Sequence, residues 1–282
     1  MNKQQKRLDL VKAVILLIVA IVVIAPLALL FASSLKDDRF QITAELGSIR
    51  AFFVTQPTLN NFVEILGPET ITPVARFFLN SVIILMGTVI GTIFVSTMAA
   101  YAILRGKFRF RGALLMGIIA LYIIPAEAIM LPMLFLSIKL KLADTYVIQI
   151  VPFIASPIYI FLFYQFFKAV PISIGESAQI EGADFWRIYR SIYLPLNVPA
   201  VVTVAILQGM ESWNQYLWPL LITRTERVRP LTVAIASFFS ISDIYWDRLF
   251  AASVVMMIPL LLLYLVFQRY FIASIASSAV KG

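Results

Sequence analysis

Six long runs of apolar residues, each containing at most one charged side chain, constrain this chain more than any other feature. A helix needs roughly 20 mostly apolar residues to cross the hydrocarbon core of a bilayer. Within lipid every backbone polar group must be bonded inside the protein, so such runs form helices. The sequence therefore predicts an all-α integral membrane protein with six transmembrane helices, organised as one transmembrane domain over residues 1–282. The runs occupy residues 13–32, 77–104, 113–138, 145–167, 198–223 and 249–268.

Composition excludes several kinds of chemistry. The chain has 0 Cys and 0 His, so it has no thiol nucleophile, no Cys or His metal ligand and no imidazole acid or base. It also has no phosphate-binding loop, because Gly106-Lys107 lacks the upstream glycine and the following hydroxyl residue. No internal repeat is detectable, which disfavours a secondary transporter that works alone. We predict a subunit that is not an enzyme, holds no cofactor or metal, and takes its energy from another subunit.

The positive charges indicate an orientation in the membrane. Four cations lie within residues 3–12 before the first run, and four more lie in the turn at 105–111. Lys and Arg in short connections favour the cytoplasmic side. With six spans, this rule predicts that both termini and the 105–111 turn are cytoplasmic. The first run is longer than the 7–15-residue core of a signal peptide, so we expect it to remain as an uncleaved helix.

Aromatic residues alternate with the cations of the 105–111 turn. Phe108 and Phe110 between basic residues resemble a stacking surface for nucleic acid. The same residues also suit anchoring to the anionic inner leaflet. Because the turn is held between two spans, we favour contact with the lipid bilayer and predict no nucleic-acid partner. On this interpretation the net charge of +8 is mainly an orientation signal.

The connection at residues 171–195 carries clear signals for a first short helix. Ser173 followed by Glu176 fits a capping box, in which each side chain bonds a free backbone N–H at the start of a helix. The helix is predicted to run through Glu181. Gly182 is then expected to adopt a left-handed conformation and end it.

A second short helix is predicted immediately afterwards. Asp184 is a suitable N-cap, and Pro195 is expected to stop the helix. Phe185, Ile188 and Ile192 recur at helical spacing and would share one apolar face. The connection is therefore predicted to form a helix–glycine–helix elbow on the cytoplasmic side. Its apolar face needs a surface to pack against, either the chain's own helix ends or a separate cytoplasmic partner.

The elbow resembles the EAA loop of ABC importer permeases. That pattern is Glu-Ala-Ala, three residues, Gly, and about nine residues later an Ile-x-Leu-Pro ending. Here it reads Glu176-Ser177-Ala178, then Gly182, then Ile192 to Pro195, with one small residue replacing another at Ser177. The resemblance implies that the elbow docks on a separate ATPase subunit; for Glu176, helix capping is the alternative role. The implied ATPase-coupling residues are Glu176, Ser177, Ala178, Gly182 and Ala183.

Other segments are similar to the second permease of carbohydrate-uptake importers of the maltose and glycerol-3-phosphate type. This resemblance implies a permease that translocates a sugar or oligosaccharide across the bacterial cytoplasmic membrane, with a sugar phosphate or polyol such as glycerol-3-phosphate as the alternative cargo. It also implies three partners: a second homologous permease subunit, an ATPase dimer that binds ATP and Mg, and an extracytoplasmic substrate-binding protein. The matching segments are residues 58–62, Asn80-Ser81, residues 213–216, Trp218-Pro219 and the tail at 279–282.

One carboxylate interrupts the third apolar run. Placing Glu127 at the centre of a bilayer would cost about 2.5–3.5 kcal/mol on insertion scales, so such residues usually face a cavity or a partner. A place on the transport path, an ion pair with Lys or Arg near the outer interface, and contact with a second permease are all compatible with it.

Polar residues also cluster in the fifth run, at Gln208, Glu211, Asn214 and Gln215. On a continuous helix, Gln208, Glu211 and Gln215 would share one face. This polar stripe is predicted to line the substrate path or to pack against a partner helix. For Trp213 and Trp218 we favour an interfacial aromatic belt over sugar stacking.

Overall fold

The computed structural model of the protein describes residues 3–67, 73–238 and 244–279, so positions 280–282 of the tail motif lie outside it. Within those ranges the chain consists of helices and connecting turns, with no β-strand, which confirms the all-α prediction. Two 3₁₀ turns (Ile49–Phe52 and Val151–Phe153) and one π-helical turn (Tyr189–Tyr193) accompany the α-helices. The α-helices are α1 (Lys3–Ser34), α2 (Arg39–Glu45), α3 (Asn60–Leu66), α4 (Val74–Arg105), α5 (Arg111–Leu121), α6 (Ala126–Lys139), α7 (Tyr146–Ile150), α8 (Pro157–Lys168), α9 (Ile172–Ile180), α10 (Phe185–Ile188), α11 (Leu194–Leu196), α12 (Val198–Asn214), α13 (Leu217–Ile222), α14 (Leu231–Ser237) and α15 (Trp246–Ala279).

Only three of the six apolar runs form single uninterrupted helices. Parts of α1, α4 and α15 are each long and apolar enough to cross a membrane. Three further helix pairs meet that test only together: α5 with α6, α7 and its 3₁₀ turn with α8, and the Phe185–Leu196 segment with α12. These pairs are bent by 94°, 45° and 75°, respectively. The described chain therefore has three clear spans, and up to six if each bent pair counts as one.

Three of the predicted runs, at residues 113–138, 145–167 and 198–223, are interrupted in the structure, and prolines explain the interruptions. A proline cannot donate a hydrogen bond to the carbonyl four residues before it. Pro125 follows the break after α5, Pro157 opens α8, and Pro219 follows the break after α12.

Hydroxyl groups from other segments bond two of the carbonyls that these prolines leave free. The Thr92 hydroxyl donates to the carbonyl of Phe153 at 3.3 Å, four residues before Pro157. The Thr232 hydroxyl donates to the carbonyl of Gln215 at 2.8 Å, four residues before Pro219. Such substitutes are how broken helices persist where water is absent.

The chain divides into two compact units, Met1–Ala75 with Ala234–Gly282, and Arg76–Val233. The prediction of a single transmembrane domain stays a prediction. In the first unit α1 packs along α15, and α3 also contacts α15. An ion pair between Glu64 and Arg248, 2.7 Å apart, joins α3 to α15.

The connection after α1 is folded rather than loose. Lys36 is buried, and its ammonium group donates to the Glu45 carboxylate at 2.5 Å and to the Ala51 carbonyl at 3.1 Å. The hydrogen bond from Lys36 holds the pKa of Glu45 below its usual value. Asn61, from the 58–62 motif, donates its amide to the carbonyls of Ser34 and Lys36 at 2.9 and 2.8 Å. This motif therefore closes the connection back onto the end of α1.

The second unit is built around a buried cluster dominated by aromatic rings, which we call the aromatic cluster. The cluster joins α4 and α8 to α10, the π-helical turn and α12. Its buried members are Ala100, Tyr101, Tyr159, Phe163, Phe167, Ile188, Tyr189, Tyr193, Ala200 and Val204.

Two tryptophans expected in an interfacial belt are buried instead. Trp218 is fully buried beside Ile148 and Ile222, and its indole N–H donates to the carbonyl of Ile148 at 3.0 Å. Trp213 is 3% exposed and packs edge-on against Phe78, with ring centroids 5.7 Å apart. The belt prediction is wrong because the bent spans enclose both indoles, and Ile148 supplies the acceptor that the Trp218 N–H needs inside the protein.

The connection that follows α13 is held in place by hydrogen bonds to side chains from two other segments. The Asn80 amide donates to the carbonyls of Glu226 and Arg229 at 3.2 and 2.8 Å. The Asp144 carboxylate accepts the backbone N–H groups of Arg224 and Thr225 at 2.8 and 3.0 Å. It also accepts the Thr225 hydroxyl at 2.7 Å. Partial burial acts to raise the pKa of Asp144, but these hydrogen bonds outweigh it and hold the pKa below its usual value.

Replacing Asp144 with alanine is therefore expected to destabilise the fold by about 2 kcal/mol, since bonds to a charged acceptor are lost. That corresponds to a fall in unfolding temperature of about 4–8 °C in detergent. Because the folded pKa is lowered, the stabilisation is present at neutral pH and is lost as the pH falls through it, below about 4. Asp37→Ala is the control, since Asp37 accepts one long bond of 3.4 Å. Equal unfolding temperatures for the two variants would contradict this assignment.

Candidate functional site

The first limb of the elbow is α9. It begins directly after Pro171, and no side chain caps it. The capping box predicted for Ser173 and Glu176 is therefore wrong. Pro171 takes the N-cap position itself, with φ fixed at −55°, so Ser173 already lies inside the first helical turn.

The end of α9 has the geometry that the sequence predicts. Gly182 has φ +87°, a left-handed conformation that favours glycine. Its N–H donates to the carbonyl of Gln179 at 3.0 Å, and the N–H of Ala183 donates to the carbonyl of Ala178 at 2.9 Å. These two bonds form a Schellman motif. Gly182 therefore turns the chain sharply from the first limb into the second.

The second limb begins as expected and runs further than expected. The Asp184 carboxylate accepts the N–H of Arg187 at 2.7 Å, which confirms the predicted cap. The helix then continues through the π-helical turn and α11 to Leu196. The prediction that Pro195 stops the limb is wrong. The wider π-helical turn lies where the missing N–H of Pro195 would have bonded, and it lets the helix pass the proline.

The elbow has an inner and an outer face. Ala178 and Ala183 pack against the aromatic cluster, together with Ile188 and Ile192 of the second limb. The apolar stripe of the second limb thus packs largely on the chain's own helices, although the Phe185 side chain remains 39% exposed.

The outer face of the elbow is exposed. Of the five predicted coupling residues, Glu176, Ser177 and Gly182 lie there, whereas the two alanines face inward. Ile180, the last residue of α9, is 89% exposed.

The polar residues of the fifth run divide between a buried and an exposed environment. Gln208 is 3% exposed, and its side-chain oxygen, 3.2 Å from the Thr92 hydroxyl, shares the proton of that hydroxyl with the Phe153 carbonyl. Glu211 is exposed and accepts the Tyr159 hydroxyl at 3.1 Å. Asn214 is exposed, and its amide donates to the carbonyl of Met210, one turn earlier on the same helix.

Gln215 does not share the face of Gln208 and Glu211, so that part of the stripe prediction is wrong. The α12 helix ends at Asn214, and Gln215 has an extended ψ of 124°. Glu211 and Asn214 therefore lie in the last helical turn before a break in the span. Interrupted helices with polar side chains at the break are a common way to build a polar site within a membrane.

Glu127 lies at another break. It is exposed in the first turn of α6, just after the 94° bend. The positive end of the helix dipole favours a carboxylate there. In the described part of the chain, no Lys or Arg makes an ion pair with Glu127, and no hydrogen bond joins it to the α12 residues. Its role on the transport path or against a second permease stays a prediction.

Sequence reasoning missed the side chains that join these groups to the rest of the fold. Tyr159 and Thr92 bond the α12 polar residues from other helices. Tyr101 and Arg105 contact the elbow from the end of α4. The only signal in the sequence was that Tyr101 and Arg105, at the end of an apolar run, are four residues apart and so share one face of a helix. Among the described residues, no group of three or more Asp or Glu is placed to hold a metal ion.

Comparison with known proteins identifies the family. The model of the binding-protein-dependent transport system inner membrane component family matches residues 92–277, a range that includes the whole elbow and α12. The chain belongs to this family. It is therefore a multi-pass membrane protein and a transport subunit rather than an enzyme.

Two relatives are similar over most of their length. The arabinooligosaccharides transport system permease protein of Halalkalibacterium halodurans is 36% identical over 80% of this chain and 80% of its own. The sn-glycerol-3-phosphate transport system permease protein of Yersinia pestis is 29% identical over 99% of both chains. These likenesses confirm the predicted resemblance to permeases of carbohydrate-uptake importers.

A solved structure has the same fold. A chain of a bacterial ABC transporter involved in the import of the acidic polysaccharide alginate superposes with a TM-score of 0.81. It is 22% identical and matches 96% of this chain and 99% of its own. The interrupted spans described above therefore belong to an ABC permease fold.

Proposed function

We propose that this chain carries a sugar or short oligosaccharide across the bacterial cytoplasmic membrane as one permease subunit of an ABC importer. The observation that carries the proposal is the elbow, an ordered structure whose outer face is exposed and has no partner within its own unit. The chain has no nucleotide-binding loop, so a separate ATPase dimer holds ATP and Mg and acts on this face. Closure of that dimer would then move the elbow and the helices attached to it.

The charge pattern and the packing together support a cytoplasmic position for the elbow. Arg105, at the end of α4, lies directly against Gly175 of α9. The basic turn at 105–111 and the elbow therefore lie on one side of the membrane. Since Lys and Arg in short connections favour the cytoplasm, both belong there, with six spans and both termini on that side.

Two further partners complete the importer. Glu127 and Glu211 are exposed on helices that belong to spans, and lipid is an unfavourable neighbour for a carboxylate. A second homologous permease that closes a polar path between the two subunits would cover them. A substrate-binding protein would deliver cargo from outside, as the family description implies. One related alginate importer is known in complex with a substrate-bound periplasmic protein.

Glu211 is expected to contact the substrate path, together with Gln208, Asn214 and Gln215 near the same break. Replacing Glu211 with leucine removes an acceptor for sugar hydroxyl groups and leaves the Tyr159 hydroxyl without its partner. Uptake into proteoliposomes should fall about 10-fold, the loss expected from one or two hydrogen bonds to a charged group. The control is Gln165→Leu, an exposed polar residue of α8. Equal uptake by the two variants would remove Glu211 from the path.

The cargo is tested by the ATPase activity of the reconstituted importer. We expect binding protein loaded with an arabinooligosaccharide to stimulate ATP hydrolysis, in line with the relative of highest identity described above. Glycerol-3-phosphate is the alternative, because a relative named for it matches nearly the whole chain. Stimulation by glycerol-3-phosphate alone would establish the alternative, and stimulation by neither would overturn both.

A further inference from the structure

One face of the last turns of α4 contacts each part of the elbow in sequence. Thr97, Tyr101 and Arg105 are spaced four residues apart, so they lie along one side of the helix. We call them the α4 stripe. Each makes a different kind of contact with residues between Gly175 and Tyr193.

Tyr101 contacts the start of the second limb. It is 2% exposed, and its hydroxyl donates to the carbonyl of Phe185 at 3.0 Å. Phe185 is the first residue of α10, three positions after Gly182. The Tyr101 ring also packs against the rings of Phe185, Tyr189 and Tyr193, with centroids 4.5, 5.2 and 5.0 Å apart. Any displacement of the start of α10 therefore requires either Tyr101 to follow or this packing to break.

Arg105 contacts the first limb. Gly175 is the one buried residue of α9. A Cβ atom placed on Gly175 would lie 3.1 Å from Nη2 of Arg105 and 3.4 Å from its Cζ. The guanidinium group therefore lies against the bare backbone of Gly175. The otherwise exposed first limb thus rests on Arg105 and on the inward-facing Ala178.

Thr97 contacts the second limb further along. Its hydroxyl and that of Tyr189 are hydrogen-bonded at 2.7 Å, and both side chains are buried. A buried polar pair in a membrane span has no water to replace a lost partner, so separating it is costly. The α4 stripe therefore holds both limbs of the elbow through two hydrogen bonds and one close backbone contact.

We propose that the α4 stripe makes α4 the span that moves with the elbow, so that Thr97, Tyr101 and Arg105 are positioning residues for energy coupling. The proposal rests on the proposed function, in which the ATPase acts on the elbow. It adds the route by which displacement of a surface loop reaches a membrane span. The route is direct, because one uninterrupted helix of 32 residues carries all three contacts.

Variants of the stripe separate transport from ATP hydrolysis in the reconstituted importer. Tyr101→Phe removes only the hydroxyl, and Arg105→Lys keeps the charge that orients the 105–111 turn while losing the planar group over Gly175. The double variant should bind the ATPase as the unaltered chain does but transport at least 5-fold less substrate per ATP hydrolysed. The control is Tyr193→Phe, in the same cluster, whose hydroxyl makes no hydrogen bond among the described residues. An unchanged ratio in the double variant would overturn the proposal.

A distance measurement tests the co-movement itself. The chain has 0 Cys, so two introduced cysteines can carry spin labels without background labelling of this chain. Labels at the exposed positions Phe94 of α4 and Arg190 of the second limb should keep their separation when the ATPase-bound complex passes from the ATP-free to the ATP-bound state. In the Tyr101→Phe, Arg105→Lys background the separation should change by several ångströms. A change of several ångströms in the label separation when Tyr101 and Arg105 are unaltered would overturn the proposal.

The two proposals fail differently. An unaltered complex with no ATP-driven uptake would overturn the proposed function, whatever the labels report. Normal uptake combined with a variable distance between α4 and the elbow would overturn only the role of the stripe.

Discussion

Replacing Gly182 with valine is expected to reduce ATP-driven uptake by about 5- to 100-fold, whereas Gly182→Asn should retain most of it. Gly182 has φ +87°, and a Cβ there would meet no atom within 4 Å. The free-energy cost of valine at this position therefore comes from the backbone conformation and not from a clash with neighbouring atoms. A β-branched residue in this region costs about 1–3 kcal/mol, which corresponds to the stated range, while asparagine tolerates it. Uptake and stimulated ATP hydrolysis in proteoliposomes measure the effect.

Gly117→Val is the matched control for Gly182→Val. Gly117 of α5 also has open space around it, but it lies in an ordinary helix without positive φ. Its replacement should leave uptake nearly unchanged. If asparagine at position 182 is as damaging as valine, or if Gly117→Val is equally damaging, the left-handed turn is not what the elbow requires.

Replacing Ile180 with alanine is expected to weaken binding of the ATPase subunit by about 10- to 100-fold. Ile180 is 89% exposed at the end of the first limb, and the Ala183 and Ala178 side chains around the turn face the other way. Burying an aliphatic side chain of this size against a partner is worth about 1.5–3 kcal/mol. The dissociation constant of the solubilised permease for its ATPase measures the effect.

Val198→Ala is the control for Ile180→Ala. Val198 is 52% exposed at the start of α12, outside the elbow. Neither substitution should change the unfolding temperature appreciably, because both residues are exposed. Equal ATPase affinity for the two variants would mean that the outer face of α9 is not the docking surface.

Apolar patterning predicted where the spans lie but not how they are broken. The run at 113–138 is apolar apart from Glu127, and the 94° bend within it leaves no periodic trace in the sequence. Prolines mark the positions where a break is possible, yet Pro26 and Pro259 lie inside uninterrupted helices. The difference depends on a tertiary partner for the freed carbonyl, such as Thr92 for Phe153, and such partners cannot be recognised from one sequence.

The elbow was predictable where local chemistry decides its shape. Gly182 and Asp184 act as their residue types suggest, because a left-handed turn and an N-cap depend on few neighbours. The inward orientation of Ala178 and Ala183 depends instead on the aromatic cluster. The contact of Arg105 with Gly175 joins residues 70 positions apart. Small residues of the elbow therefore serve in part to bring it close to the chain's own helices.

We propose that this chain moves cargo only when a separate ATPase drives its elbow. The most direct measurement is uptake of labelled oligosaccharide into proteoliposomes that contain the chain, its partner permease and the ATPase, with loaded binding protein outside and ATP inside. Uptake should require ATP, and Gly182→Val should reduce it while the altered chain remains in the membrane. Uptake by the chain without ATPase or ATP, or full uptake by the Gly182→Val complex, would contradict the account.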